Sequence, residues 1–197
     1  MGKKKHVDDV LRLFGKSQVV DSKSIERITK SGGKAGQYHK QLLRNLLKQG
    51  RIKRLAKGCY TAKSDPSLAV YCYKPAYLGL QDALSFHNLW EQETIPVILT
   101  SRRIRPGIRT VMESNVLIRR MEGRHMFGFE YHKEDGSLLP YSDLEKTLID
   151  MVYYRQELSK DALKELRKRI DGRKLEDYLK RYPKRIRTRT LDALKTA

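Results

Sequence analysis

Apolar residues at helical spacing open the chain. Val7, Val10, Leu11 and Phe14 predict a short helix over residues 6–15, with Gly15 as its stop. Asp21 or Ser22 can cap a second helix over about residues 22–30 that turns Ile25 and Ile28 inward. The glycine-dense stretch 31–36 then reads as a turn, and a third helix follows from about Gln37 to Gln49, stopped by Gly50. Leu42, Leu43, Leu46 and Leu47 form its apolar stripe. After Gly50 the period shortens. Residues 51–55 and 59–62 are strand-like runs joined by Ala56-Lys57-Gly58, a hairpin with glycine in its loop.

Asp65-Pro66 interrupts this pattern and marks a predicted boundary between residues 1–65 and 66–197. Beyond it, Ala83, Leu84, His87 and Trp90 predict a helix over about residues 79–90, and residues 94–100 a buried strand. Residues 111–121 and 126–132 read as further strands, with Glu134-Asp135-Gly136 a hairpin turn leading to Leu138-Leu139-Pro140. Ser142 begins a helix through about Tyr154 that turns Leu144, Leu148, Ile149 and Val152 inward. From about residue 158 the pattern is helical, with Leu163, Leu166, Ile170, Leu175, Tyr178 and Leu179 as the packing positions and Pro183 before a last piece. The expected fold class is α+β: an N-terminal winged helix-turn-helix, then a mixed α+β domain with a helical C-terminal end.

Charge sharpens the division. Of the net +19, residues 1–65 hold +12, residues 66–157 hold −1 and residues 158–197 hold +8. A sequence pI near 10 calls for a polyanionic partner, nucleic acid before an anionic membrane surface. No apolar run approaches the roughly 20 residues of a bilayer span, so no membrane is expected. The basic start leads into Val7-Asp8-Asp9 rather than a signal peptide, and Cys59 and Cys72 make neither a disulfide framework nor a cysteine zinc site. A soluble, cytoplasmic protein without cofactor or metal is expected.

The third helix carries Gln37, Lys40, Gln41, Arg44 and Lys48 opposite its leucines, without one acid, and a basic hairpin follows directly. In a winged helix such a helix enters the major groove while the wing touches phosphate or the minor groove. Gln and Arg suit base edges and Lys suits phosphate. The expected interface with double-stranded DNA is therefore Lys34, Gln37, Tyr38, Lys40, Gln41, Arg44, Lys48, Arg51, Lys53, Arg54 and Lys57. Gly32-Gly33-Lys34 is not a phosphate-cradling loop, because Ala35 follows the lysine and a helix precedes the turn. Basic winged helices also serve on RNA, so an RNA-binding or ribosome-associated protein is the alternative.

Asp143, Glu145 and Lys146 offer the two acids and a lysine of a metal-dependent nuclease, but catalytic acids of that type usually alternate along a strand. Here Ser142-x-x-Glu145 reads as a capping box, with Asp143 favouring the positive helix end. No catalytic residue is assigned. His87, among apolar residues, is expected at the edge of the core. The basic C-terminal face of Lys164, Arg167, Lys168, Lys180, Arg181 and Arg185 is either solvated or a second phosphate contact.

Three segments, taken in order, carry a family likeness. Lys57-Gly58-Cys59-Tyr60 resembles the basic-Gly-x-Tyr wing of AbiEi-family antitoxins. Ala83-Leu84-Ser85-Phe86-His87-Asn88-Leu89 is similar to their Ala-Leu-x-x-His-x-Leu helix, and Glu145-Lys146-Thr147-Leu148-Ile149-Asp150 to their Glu-Lys-Thr-Leu-x-Asp segment. Two positions depart from the pattern: Leu144 stands where proline is usual and Asn88 where glycine is common. The resemblance implies a repressor of type IV toxin–antitoxin systems. Such a protein would bind promoter inverted repeats through its N-terminal domain and oppose a nucleotidyltransferase-type toxin through its second domain.

Overall fold

In the computed structural model, residues 2–30, 38–134 and 136–195 are described. The turn 31–36 with Lys34, the start of the third helix at Gln37, and Asp135 of the predicted hairpin turn lie outside the described residues. The chain forms two compact units, Met1–Cys72 with Thr110–Ser114, and Tyr73–Arg109 with Asn115–Ala197. Pro66 opens a 3-10 helical stretch, Pro66–Tyr73, near whose end the division between Cys72 and Tyr73 falls.

The first unit runs α1 (Gly2–Lys16), β1 (Val20–Asp21), α2 (Ser22–Lys30), α3 (Tyr38–Lys48), β2 (Lys53–Ala56) and β3 (Cys59–Thr61). Helix α1 is longer at both ends than its apolar spacing predicts, and Gly15 lies inside it rather than stopping it. Val10, Phe14, Ile25, Leu42, Leu43 and Leu46 meet in one core, as the helical spacing requires, joined by Val20 and Ile52. Asp21 rather than Ser22 caps α2, its carboxylate accepting from the Ser24 amide at 2.7 Å. The two-residue strand β1, absent from the sequence pattern, makes the hairpin three-stranded in the order β1-β3-β2. Gly58 turns that hairpin at a φ of 78° and accepts from the Ser22 amide at 2.9 Å.

From Tyr73 on, the chain forms β4 (Ala76–Leu78), α4 (Gln81–Phe86), β5 (Val97–Thr100), β6 (Gly107–Val111), β7 (Ser114–Arg120), β8 (Phe129–Glu134), β9 (Ser137–Ser142), α5 (Leu144–Tyr153), α6 (Lys160–Arg169), α7 (Gly172–Leu179) and α8 (Lys184–Lys195), all in the second unit except the β6–β7 turn region Thr110–Ser114. The six strands order β6-β7-β5-β4-β9-β8, with β4–β9 and β5–β7 parallel. The predicted strand over 111–121 is corrected: Met112 and Glu113, both at positive φ, turn the chain there, so β6 and β7 are two strands. The predicted helix over 79–90 is likewise shorter. Asn88 takes a φ of 57°, its amide bonds to Ser85 at 2.9 Å and the Leu89 amide to Leu84 at 2.8 Å. That pair of bonds is a Schellman ending, whose left-handed residue is usually Gly and sometimes Asn.

Helix α5 is the central element. Helices α6, α7 and α8 pack on it from one side and α4 and the sheet from another, so it is buried nearly all round. The expected capping box is corrected here. Asp143, not Ser142, is the N-cap, accepting from the Lys146 amide at 2.8 Å. Ser142 Oγ instead pairs with Thr147 Oγ1 at 2.7 Å, and Glu145 accepts from the Asp171 amide at 2.8 Å. Leu144 is the first helical residue, a position proline commonly fills because its N–H is unpartnered anyway. Leu144 and Val152 are half-buried and Leu148 and Ile149 fully buried in one core, as expected, and Glu145, Lys146, Thr147 and Asp150 are buried beside them.

Candidate nucleic-acid interface

Helix α3 separates its two faces cleanly. His39, Leu42, Leu43 and Leu46 are buried against the core of the first unit, while Lys40, Gln41, Arg44, Asn45 and Lys48 are exposed. No acidic side chain occurs along α3, so its outer face is uniformly cationic or amide in character. Tyr38, at the start of the helix, is half-buried and meets the His6 ring of α1 edge-on at 5.8 Å. Tyr38, Lys40, Gln41 and Arg44 line one open concavity of about 510 Å³. The structure thus brings together four of the residues that the sequence marks for an interface.

The hairpin residues divide. Lys57 and Arg51 are exposed, Lys57 in the loop of β2–β3 and Arg51 just before β2. Arg51 borders a second concavity of about 500 Å³ with Asp8, Asn45 and Gln49. Lys53 is half-buried, its ammonium donating to Ser64 Oγ at 2.7 Å, and Arg54 Nε donates to the Ala56 carbonyl at 3.3 Å. Lys53 and Arg54 are therefore partly committed to the hairpin itself. Lys34 and Gln37 fall outside the described residues. Asn45 is the residue that the sequence reading missed; it stands one turn beyond Gln41, and Gln41 Nε2 donates to Asn45 Oδ1 at 3.1 Å.

A second polar cluster, in the second unit, faces inward. Lys146 and Asp150 are fully buried one turn apart on α5 and form an ion pair. The Tyr77 hydroxyl of β4 donates to Asp150 Oδ2 at 2.7 Å and accepts from Lys146 Nζ at 2.6 Å. Burial pushes the lysine down and the aspartate up, and each opposes the shift of the other through its charge. Tyr77 is pushed well above its ordinary range, first by burial and then by the Asp150 carboxylate. The rings of Tyr77, Phe127 and Tyr182 surround the ammonium, at 5.1, 5.5 and 5.9 Å to their centroids. Gly128 is required by this packing, since a Cβ there would stand 2.9 Å from Lys146 Cβ.

The two acids just before Lys146 are also held. Asp143 accepts from Tyr178 at 2.9 Å and pairs with Lys174 at 3.1 Å; Lys174 also reaches Glu145 at 3.2 Å. Partial burial works against the Lys174 charge, but these two carboxylates outweigh it and raise the lysine. Tyr178 is pushed up to about 12, by burial and then by Asp143. His87, at the end of α4, lies with Nε2 2.8 Å from the Ser142 carbonyl and is depressed chiefly by burial. Lys164, Arg167, Lys168, Lys180, Arg181 and Arg185 of the C-terminal helices are all exposed. Lys164, Lys168 and Lys180 pair with acids three positions before them. Among the described residues no helix is long and apolar enough to cross a membrane.

No protein-family model and no curated protein matches the chain. Among solved structures, it is similar to the crystal structure of the RV2827C protein from Mycobacterium tuberculosis, with a TM-score of 0.63 at 17% identity, over 96% of this chain and 74% of that one. The two share a fold. At such identity the likeness carries the architecture and nothing of residue roles.

Proposed function

We propose that this chain is a sequence-specific DNA-binding repressor in which the first unit acts as a winged helix-turn-helix. The observation that carries the reading is the acid-free outer face of α3, followed directly by a basic hairpin with Lys57 at its tip. In that role α3 lies in the major groove with Gln41 and Arg44 toward base edges, and Lys40, Lys48, Arg51 and Lys57 toward phosphates. Repression is steric, by occupation of promoter DNA. Specific binding is expected at a Kd of ~10⁻⁸–10⁻¹¹ M, against ~10⁻⁴–10⁻⁶ M for unrelated duplex. Titration against a selected duplex over a range of salt, with structured RNA as competitor, tests it. A chain that prefers structured RNA at physiological salt is an RNA-binding protein instead.

The wider proposal, that this is the antitoxin of a type IV pair acting in the cytoplasm on its own promoter repeats, rests on the AbiEi resemblance. Its two departures support rather than weaken it, since Asn88 adopts the left-handed conformation that glycine also serves and Leu144 stands at a helix start where proline fits. The role proposed for the second unit is non-enzymatic, in keeping with Asp143 and Glu145 being held by Tyr178, Lys174 and the Asp171 amide. Its partner would be a nucleotidyltransferase-type toxin. Co-expression with the product of an adjacent gene of that type should restore growth; failure to relieve any toxicity removes the antitoxin role and leaves the repressor.

A further inference from the structure

We infer that Gln41 and Asn45 together form a preassembled reader of adenine in the major groove. The inference rests on α3 being the DNA-reading helix and assigns to Asn45 a part in sequence preference. Both side chains are exposed near the middle of the outer face of α3, one turn apart, and Gln41 Nε2 donates to Asn45 Oδ1 at 3.1 Å. That bond leaves the Gln41 carbonyl oxygen as an acceptor, and the Asn45 amide N–H groups with the second N–H of Gln41 as donors, so the pair offers an acceptor and a donor together. If both amides were rotated by half a turn, Asn45 would donate to Gln41 and the pair would again offer a free amide oxygen and free N–H groups. The recognition pattern is therefore the same in either orientation.

Adenine presents the complementary pair on its major-groove edge, the N6 amino donor next to the N7 acceptor. Guanine offers two acceptors there, so the free amide oxygen would face O6 lone pair to lone pair. Cytosine offers a donor with no neighbouring acceptor, and thymine an acceptor beside a methyl group. Adenine alone meets both outward groups. Each amide also holds the other's rotamer, so less side-chain freedom is lost on binding than for two independent residues. Arg44, exposed on the other flank of Gln41, suits a guanine or a phosphate on the neighbouring step.

The test uses the full chain and a random duplex library, first to define the preferred site, then to titrate it. The expected result is an A·T pair at one position whose preference falls about tenfold in Gln41→Ala, in Asn45→Ala and in Asn45→Asp, with the double alanine variant no worse than either single. Replacing that adenine by 7-deazaadenine, which lacks the N7 acceptor, should weaken the wild-type chain severalfold and leave Asn45→Ala unchanged. Lys57→Ala, by contrast, should weaken all duplexes alike. Melting curves confirm that the exposed substitutions leave the fold intact. A wild-type chain with clear base preferences that Asn45→Ala does not alter overturns this inference and leaves the DNA reading standing. A chain that binds no duplex overturns both.

Discussion

Helices α3 and α5 place a polar pair at the same spacing and use it in opposite ways. On α3 the pair is Gln41 and Asn45, hydrogen-bonded to each other in solvent. On α5 it is Lys146 and Asp150, fully buried and closed over by Tyr77. The helices are similar in length, 11 and 10 residues, so local geometry does not distinguish them. What differs is how many sides are covered. Core residues meet α3 along one stripe, whereas α6, α7 and α8 join α4 and the sheet around α5. Water therefore solvates the first pair and leaves it available to a ligand. The second pair must satisfy itself, and it becomes part of what fixes the second unit in one arrangement. An exposed one-turn pair contributes ~0.2–0.5 kcal/mol, whereas removing one partner of a buried ion pair costs ~3–5 kcal/mol.

The largest effect that probes this contrast is therefore Lys146→Met, which strands the Asp150 carboxylate. Urea unfolding should show a loss of ~3–5 kcal/mol, largely recovered in the Lys146→Met, Asp150→Leu, Tyr77→Phe triple variant, which removes every polar member of the network together. An exposed-like loss below 1 kcal/mol would erase the distinction between the helices. Next comes Arg44→Ala on the exposed helix. It should leave the unfolding midpoint unchanged and cost ~1–3 kcal/mol of binding at the base it reads, measured by titration with matched and mismatched duplexes. Asp143→Ala removes the N-cap of α5 and the partner of Tyr178 and Lys174; a loss of ~1–2 kcal/mol in the same unfolding assay is expected.

The smallest effect is a pH dependence that arises in the second unit. His87 and His125 are depressed below their ordinary value of 6.5, in both cases chiefly by burial. Their neutral forms are favoured in the folded chain, so the unfolded chain binds more protons below that value. Stability is thus complete above about pH 6.5 and falls as the pH drops through 6.5 and on through the lower folded values. Thermal melts from pH 8 to about pH 5 should show this decline, flattened in His87→Gln.

Much of the first unit was legible because its helices are amphipathic. Val10, Phe14, Ile25, Leu42, Leu43 and Leu46 lie where helical spacing puts them, and the acid-free face of α3 can be read directly along the chain. Asn45 was missed although it stands one turn from Gln41, because neither its charge nor its apolarity marks it. The second unit was less legible. Its α+β class follows from the pattern, but β4 and β6 do not, and the turn at Met112 and Glu113 uses non-glycine residues in a conformation that sequence rarely announces. The stripe of Leu144, Leu148, Ile149 and Val152 on α5 does pack into the core as its spacing requires, but the burial of its polar residues beside that stripe does not show in the pattern.

The sequence by itself determined the helix spacing of the first unit, the division of charge into +12, −1 and +8, and the mixed class of the fold. These depend on neighbours along the chain, where a period of 3.6 or 2 and a run of lysines are local facts. Only the tertiary structure decided that Lys146 and Asp150 are buried, that Tyr77 closes their bond, and that Lys174 joins Asp143 to Glu145. Tyr77 and Lys174 come from distant stretches of sequence. Whether a charged side chain meets water or another side chain is set by desolvation, and desolvation depends on what the rest of the chain stacks against it.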